Sequence, residues 1–210
     1  MRRLLLVVIV LIAALLIVGD FVLKSVAEDR IASAAFATLD LDRRPDVDVS
    51  GFPFVFRLVR GQLSSVTLTT DRVTREDVVL RDIEVTFRNV RFSIGELLAR
   101  EDRSIRLGPG RGIAAMTSGD ATAAAQARGA PVTIDFKPSA VTVISEDLGL
   151  EASAGLAVNG SDLVIDPDGD IPPVTVPLPE LAPGVEYRSV RVEEGRAVLR
   201  VRMEPLTLRF

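Results

Sequence analysis

The chain contains no cysteine, no histidine and no tryptophan, and it has a single tyrosine among its 210 residues. Without cysteine and histidine it has no thiol nucleophile, no disulfide, no imidazole base, no Cys/His zinc site and no lipid-modified cysteine. An enzyme of this composition would have to work with carboxylates, Ser, Thr, Lys or Arg. The net charge of −4 disfavours nucleic acid as a partner.

The acidic motifs that could support catalysis or metal binding are weak. Residues 166–170, DPDGD, resemble part of a calcium loop, but the glycine comes too early and no closing glutamate follows. Three carboxylate pairs lie among other charged residues, where carboxylates are solvated and ionised: Asp40 with Asp42, Asp46 with Asp48, and Glu193 with Glu194. We therefore expect no catalytic residues, no cofactor and no metal, and a carboxylate hydrolase is the weakest function considered.

The N-terminus has the pattern of a secretory signal or a membrane anchor. Arg2 and Arg3 precede the apolar run LLLVVIVLIAALLIVG, residues 4–19. As a helix this run spans roughly 24 Å, against a hydrocarbon core of roughly 30 Å, and the apolar residues 21–23 could extend it past Asp20. Because positive residues stay on the cytoplasmic side, we expect everything after Asp20 to lie on the outer side of the cell membrane.

Two fates of this segment stay open. An uncleaved anchor is favoured, but residues 25–27, SVA, have the small-x-small pattern of a signal-peptidase site, and cleavage there would give a secreted protein. We predict a signal or anchor segment over residues 1–19 and a single domain over residues 20–210.

Periodic patterns predict an α+β fold. Apolar residues recur at three- and four-residue spacing to about Leu39, which predicts a helix with an alanine-rich stripe. Period-two segments follow from Arg43 onward and predict strands, with hairpins at Asn159-Gly160 and Glu194-Gly195. Two short helices are expected, one opening with the capping-box pattern of residues 93–96 and one with Asp120 as its cap.

The stretch SGFPFVFRLVRG, residues 50–61, is unusually rich in phenylalanine. Phe52, Phe54, Phe56 and Leu58 occupy alternate positions, and in an extended chain alternate side chains share one face. The pattern predicts a strand whose apolar face either lines a channel or packs into a solid core.

Several segments together resemble the LmeA-like phospholipid-binding family of the actinobacterial cell envelope. They are GFPF at residues 51–54, the strand pair of residues 61–90, AAMTSGDATAAAQARGAPVTI at 114–134 and LPELAPGVEYRSVRVEEGRAVLRV at 178–201. The resemblance implies a tubular lipid-binding fold, in which a long N-terminal helix packs along a strongly curved antiparallel sheet around an apolar cavity.

The resemblance further implies a lipid site. If the alanine stripe leaves a gap beside the sheet, acyl chains could fill it at about 0.8 kcal/mol per buried methylene. The expected acyl-chain residues are Phe52, Phe54, Phe56, Leu58, Leu68, Phe87, Phe92, Phe136, Ile31 and Ala35. Arginines suit phosphate, and the expected headgroup residues are Arg57, Arg60, Arg88 and Arg91.

Two functions are carried forward. The first is a non-enzymatic envelope protein that binds a diacyl phospholipid, anionic ones included, for transport, presentation or sensing, with an envelope biosynthetic enzyme as a candidate partner. The second is a membrane-anchored, β-rich protein-interaction module with a solid core and no lipid. An open apolar cavity would distinguish the first from the second.

Overall fold

The structure is a computed structural model that describes residues 2–39, 41–51, 53–92, 104–138, 140–145, 147–181 and 184–209. Its described helices are α1 (Arg2–Leu39), α2 (Phe54–Val59) and α3 (Ser118–Ala127). Its strands are β1 (Asp46–Ser50), β2 (Gln62–Arg75), β3 (Val78–Phe92), β4 (Ser104–Leu107), β5 (Gly110–Thr117), β6 (Val132–Lys137), β7 (Ala140–Ser145), β8 (Leu150–Asn159), β9 (Asp162–Pro167), β10 (Val174–Pro177), β11 (Val185–Glu193), β12 (Arg196–Met203) and β13 (Leu206–Arg209). The predicted class, α+β with a long N-terminal helix and a strongly curved antiparallel sheet, is confirmed.

Helix α1 continues without a break through the apolar run and ends at Leu39, as the spacing predicts. It packs against the edge strand β1 and against α2. Among the residues described for this comparison, no helix offers a stretch that is both long and apolar enough to span a membrane.

The first sheet has eight strands, with β1, β2, β3, β5, β12 and β11 in spatial order and the β4–β13 pair attached at the end of β3. Every pairing in it is antiparallel. The sheet curls into a half-barrel, so one face is concave and apolar. We call this concave side the inner face and the convex side the outer face.

Strand β3 bends at two residues, and these bends curl the sheet. Asp82 and Asn89 have positive φ values of 48° and 54°, and the register with β5 shifts beside Asp82. The apolar spacing changes from two to three at each bend, which returns apolar side chains to the inner face after it. The buried or half-buried apolar residues of β3 are Val78, Val79, Leu80, Ile83, Val85, Phe87, Val90 and Phe92.

The remaining strands form a second antiparallel sheet in the order β10-β9-β8-β7-β6. The sequence patterns did not predict that the strands divide into two sheets. Helix α3 packs against strands of both sheets, and β11 contacts β8. Buried residues of both sheets and of α3 form one continuous hydrophobic core. The proline-rich segment of residues 171–184 contributes the short edge strand β10.

The strand predicted for residues 50–61 is wrong, because residues 54–59 form helix α2. The alternation of Phe54, Phe56 and Leu58 therefore does not place them on one face: Phe54 is buried, Leu58 is half-buried and Phe56 is exposed. Phe52 lies outside the described residues.

The two predicted short helices have different outcomes. The one expected from residue 93 falls within residues 93–103, outside the described part of the chain. The other is present as α3, but its N-cap is Thr117, and Asp120 is the third helical residue, which completes a capping box with Thr117. The predicted hairpins at Asn159-Gly160 and Glu194-Gly195 join β8 to β9 and β11 to β12.

Candidate functional site

Two rows of inward-facing residues run across the first sheet, perpendicular to its strands. One row consists of Val49, Val66, Phe87, Gly110, Met203 and Val185, and the next of Val47, Leu68, Val85, Gly112, Val201 and Tyr187. The glycines make room for their neighbours, because a Cβ on Gly110 would lie 2.9 Å from the Phe87 ring. The middle of the inner face is therefore tightly packed.

The inner face is less covered beside α1. Val47 and Leu68, which face each other across β1 and β2, are half-buried, whereas Val85 and Val201 in the same row are buried. Ala27 and Ile31 of α1 are half-buried too, and all four pack against the core. We call the strip formed by Ala27, Ile31, Val47 and Leu68 the α1 groove.

Small side chains bring α1 close to the sheet along this groove. Ala32 and Ala35 are buried, and Ala32 and Val47 line an open depression of about 300 Å³ between α1 and β1. The other lining residues are mostly polar: Ser25, Glu28, Asp29, Arg44, Pro45 and Asp46. Val47 belongs both to this depression and to the α1 groove, and the lining of the depression is mostly polar.

Polar contacts hold α1 along β1. The Glu28 carboxylate accepts the backbone N–H of Val49 at 2.9 Å, and Lys24 Nζ lies 2.9 Å from Asp48 and 3.4 Å from Glu28. The hydrogen bond to Asp48 is the main reason why the pKa of Lys24 is raised above its usual value. Farther along, Arg44 donates to the backbone carbonyl of Asp29 at 2.6 Å.

Helix α2 is positioned by a residue that lies far from it in sequence. Its N-cap, Pro53, makes no side-chain capping bond. The Asp20 carboxylate from α1 accepts the backbone N–H groups of Phe54 at 2.9 Å and Val55 at 2.7 Å instead. Asp20 is buried, so this contact joins α2 to the turn of α1 at which the apolar run ends.

The predicted acyl-chain residues do not form one lining. Phe54 and Phe87 are buried in the core, and Phe136 is buried in the second sheet. Ile31, Leu58, Leu68 and Phe92 are half-buried, Ala35 is buried, and Phe56 is exposed. Of the residues predicted to touch acyl chains, Ile31 and Leu68 lie in the α1 groove.

The predicted headgroup arginines come together at the α2 end of the first sheet. Arg57 donates a short hydrogen bond to Ser64 Oγ, and Arg60 follows α2 directly. Arg88 pairs opposite Ser65 on the outer face, and Arg91 pairs opposite Gln62. All four side chains are exposed.

Buried polar groups elsewhere have structural partners. Asp120 is partly buried, which opposes its ionisation, but hydrogen bonds from Arg81 at 2.7 Å and from Thr117 outweigh this and lower the pKa of Asp120. Burial raises the pKa of Tyr187, whose hydroxyl donates to the Pro179 carbonyl at 2.6 Å. Within the described ranges, no cluster of three Asp or Glu side chains is arranged to hold a metal ion.

A second open depression, of about 290 Å³, lies beside the end of α3. Its lining comprises Gln126, Gly129, Pro131, Val132, Thr133 and Asp147. None of these is a predicted lipid-binding residue.

Sequence reasoning missed Val47, Asp20 and Arg106 as parts of this region. Val47 lies in a segment where charged residues alternate with apolar ones. The pairing of β1 with β2 shows that Val47, rather than Asp48, faces inward. Arg106 lies opposite Arg91 on β4, a pairing between distant segments. Asp20 did carry a signal, since an acidic residue directly after an apolar run is costly to bury without a partner.

Comparison with known proteins gives one match. The family model described as LmeA-like phospholipid-binding matches residues 18–202, which include α1 from Val18 onward and strands β1 to β11. No curated protein and no solved structure matches the chain.

Proposed function

The chain belongs to the LmeA-like phospholipid-binding family. We propose that it holds a diacyl phospholipid, without catalysing a reaction, on the extracytoplasmic side of a cell membrane. The lipid would be carried, presented to an envelope enzyme or sensed. Arg2, Arg3 and the apolar run of residues 4–19 support an anchor that leaves the rest of the chain outside.

The α1 groove is the proposed acyl-chain site. The observation that carries this assignment is the contrast within one row of the sheet, where Val47 and Leu68 are half-buried while Val85 is buried. Half-buried apolar side chains beside a depression can gain further burial from a ligand, whereas buried ones cannot. Small residues on α1 favour the site because a modest shift of the helix would widen it.

The headgroup would lie at the α2 end of this groove. Arg57 and Arg60 belong to α2 and its C-cap, and Arg88 and Arg91 lie at the end of β3 that pairs with the start of β2, with Arg88 on the outer face. Guanidinium groups match phosphate through paired hydrogen bonds. Lipid sites are mostly apolar with a few polar groups at the mouth. The proposal accordingly assigns the acyl chains to the groove residues and the phosphate to the arginines.

A tryptophan at Leu68 tests the site. The larger side chain fills the groove, and displacing about two acyl methylenes at about 0.8 kcal/mol each lowers lipid affinity about tenfold. Thr69→Trp is the matched control, because Thr69 is the next residue, is exposed and faces outward opposite Glu84. The full chain is purified in detergent, and phospholipid per protein is measured by solvent extraction and mass spectrometry.

The comparison between the two variants isolates the site, since any lipid bound at the apolar run is common to both. We expect Leu68→Trp to lose a discrete lipid that Thr69→Trp and the unchanged chain retain. Equal lipid in all three would refute the groove. A chain that carries no discrete lipid at all would instead support the protein-interaction module, which the buried Phe54, Phe87 and Phe136 would suit.

A further inference from the structure

Helix α2 and the adjoining turn of α1 expose large apolar side chains on one surface. Phe56 and Val59 of α2 are 67% and 68% exposed. Val18, Phe21 and Val22 of α1 are 62%, 66% and 57% exposed. The two helices contact each other, and the buried Asp20 carboxylate binds the first turn of α2, so both sets belong to one end of the molecule.

Several arginines lie at the same end of the molecule. Arg57 and Arg60 belong to α2 and its C-cap, while Arg88, Arg91 and Arg106 lie on the ends of β3 and β4. Arg91 and Arg106 face each other directly across the strands, an arrangement that like charges disfavour unless an anion lies between or above them. Within the described part of the chain, Arg60, Arg88, Arg91 and Arg106 have no carboxylate at ion-pair distance.

We propose that this end of the molecule, with Phe56, Val59, Phe21 and Val22 exposed and arginines on α2 and the nearby strand ends, docks on an anionic phospholipid bilayer. Phe56 and Val59 would enter the boundary between headgroups and acyl chains, and the arginines would bind lipid phosphates. Interfacial helices of this kind combine buried apolar area with attraction to anionic lipids. Exposed apolar patches of this size commonly mark an interaction surface.

Continuity of the chain identifies the bilayer as the occupant. Phe21 and Val22 directly follow residues 4–19 on the same uninterrupted helix α1. If those residues lie in a membrane, Asp20 is at the membrane surface, and the hydrogen bonds from Phe54 and Val55 keep α2 at that level. A soluble protein partner would have to compete with lipid for the same surface.

This inference rests on the proposed function and adds a path by which the lipid would reach the acyl-chain site. From α2, helix α1 runs along β1 past the contacts of Lys24 and Glu28, and the contact of Arg44 with Asp29 lies farther along. A lipid could pass from the bilayer into the groove at the α2 end without its acyl chains crossing water. The docking surface and the acyl-chain site would then be two ends of one path.

Because the chain contains no tryptophan, a single introduced tryptophan can report on its own surroundings. Phe56→Trp introduces a single fluorophore at an exposed position, where a larger ring has room. The full chain is reconstituted into vesicles of phosphatidylcholine and phosphatidylglycerol, with a spin-labelled phospholipid as quencher. Ile113→Trp is the matched control, because Ile113 is an exposed apolar residue in the middle of β5, opposite Glu84 on the outer face.

We expect Phe56→Trp emission to shift to shorter wavelength and to be quenched at least threefold more strongly than that of Ile113→Trp. Replacing Arg60, Arg88 and Arg91 by Gln should reduce the quenching of Phe56→Trp and weaken its dependence on salt. Equal quenching of the two reporters, or a Phe56→Trp spectrum typical of water, would overturn the docking surface.

Lipid bound per protein, measured on the same Phe56→Trp preparation, separates the two proposals. Discrete lipid without interfacial quenching would contradict docking and leave the lipid-binding proposal standing. Interfacial quenching without discrete lipid would support docking and contradict the groove. Quenching that disappears when an added soluble protein covers the surface would count against the bilayer as its occupant.

Discussion

At the residue scale, a few positions determine how the inner face is built. Asp82 and Asn89 adopt positive φ and bend β3, while Gly110 and Gly112 let β5 approach β3 without side chains between them. Asp and Asn tolerate positive φ better than other non-glycine residues. The spacing of three in LRDI and FRNV could have revealed the bends, because a regular strand keeps a spacing of two.

Gly112 gives a stability prediction. A Cβ there would lie 2.6 Å from the Glu84 carbonyl oxygen and 2.9 Å from Val85 Cγ2, so the backbone of β3 would have to move. We expect Gly112→Ala to lower the free energy of unfolding by about 1–3 kcal/mol, as overpacking does. Urea unfolding of the full chain in detergent, followed by circular dichroism, measures the change.

Gly119→Ala is the control for this substitution. Gly119 lies in the first turn of α3, and a Cβ there meets nothing within 4 Å. Alanine at a compatible helical position stabilises by about 0.4–1 kcal/mol. Effects of the same sign and size at both glycines would contradict the close approach of β5 to β3.

At the scale of secondary-structure elements, α2 shows why the local sequence pattern predicted a strand where the chain forms a helix. The alternating phenylalanines favour a strand, but Asp20 supplies the missing cap of a helix from a position more than thirty residues earlier. No window of local sequence contains that contact. Helix α3, by contrast, carries its own cap in Thr117 and Asp120, and its prediction needed a correction of only a few residues.

Asp20→Ala tests the hydrogen-bonded contact between α1 and α2. Loss of the carboxylate leaves the N–H groups of Phe54 and Val55 without their acceptor, at a cost of about 1–2 kcal/mol. We expect amide hydrogen exchange at these two residues to accelerate about tenfold or more. The measurement is hydrogen–deuterium exchange with mass spectrometry on the full chain.

Asp29→Ala serves as the comparison. Asp29 is also on α1 and forms an ion pair, with Arg44, but its side chain is 74% exposed. Exposed pairs contribute little, so exchange in α2 should not change. Acceleration in both variants would indicate general destabilisation of α1, and no acceleration with Asp20→Ala would mean that α2 is held by other contacts.

At the scale of the whole molecule, the sequence predicted the class of fold and the end of α1 near Leu39 but not the position of the groove. Which residues face inward along β1 depends on its pairing with β2, and the tight middle of the inner face depends on the pairing of β12 with β5, which is distant in the sequence. Such long-range pairings have no local pattern. The buried Phe87 and Phe136 consequently looked like candidates for a lining, although they belong to the core.

The central claim is that acyl chains enter the α1 groove, and photocrosslinking tests it most directly. The full chain is reconstituted with a phospholipid that carries a diazirine at the end of one acyl chain, and the crosslinked peptides are identified by mass spectrometry. Our account predicts labels on β1 and β2 around Val47 and Leu68, in addition to labels on residues 4–19. Labels confined to residues 4–19 and α2 would contradict it, because the lipid would then touch only the surface that faces the bilayer.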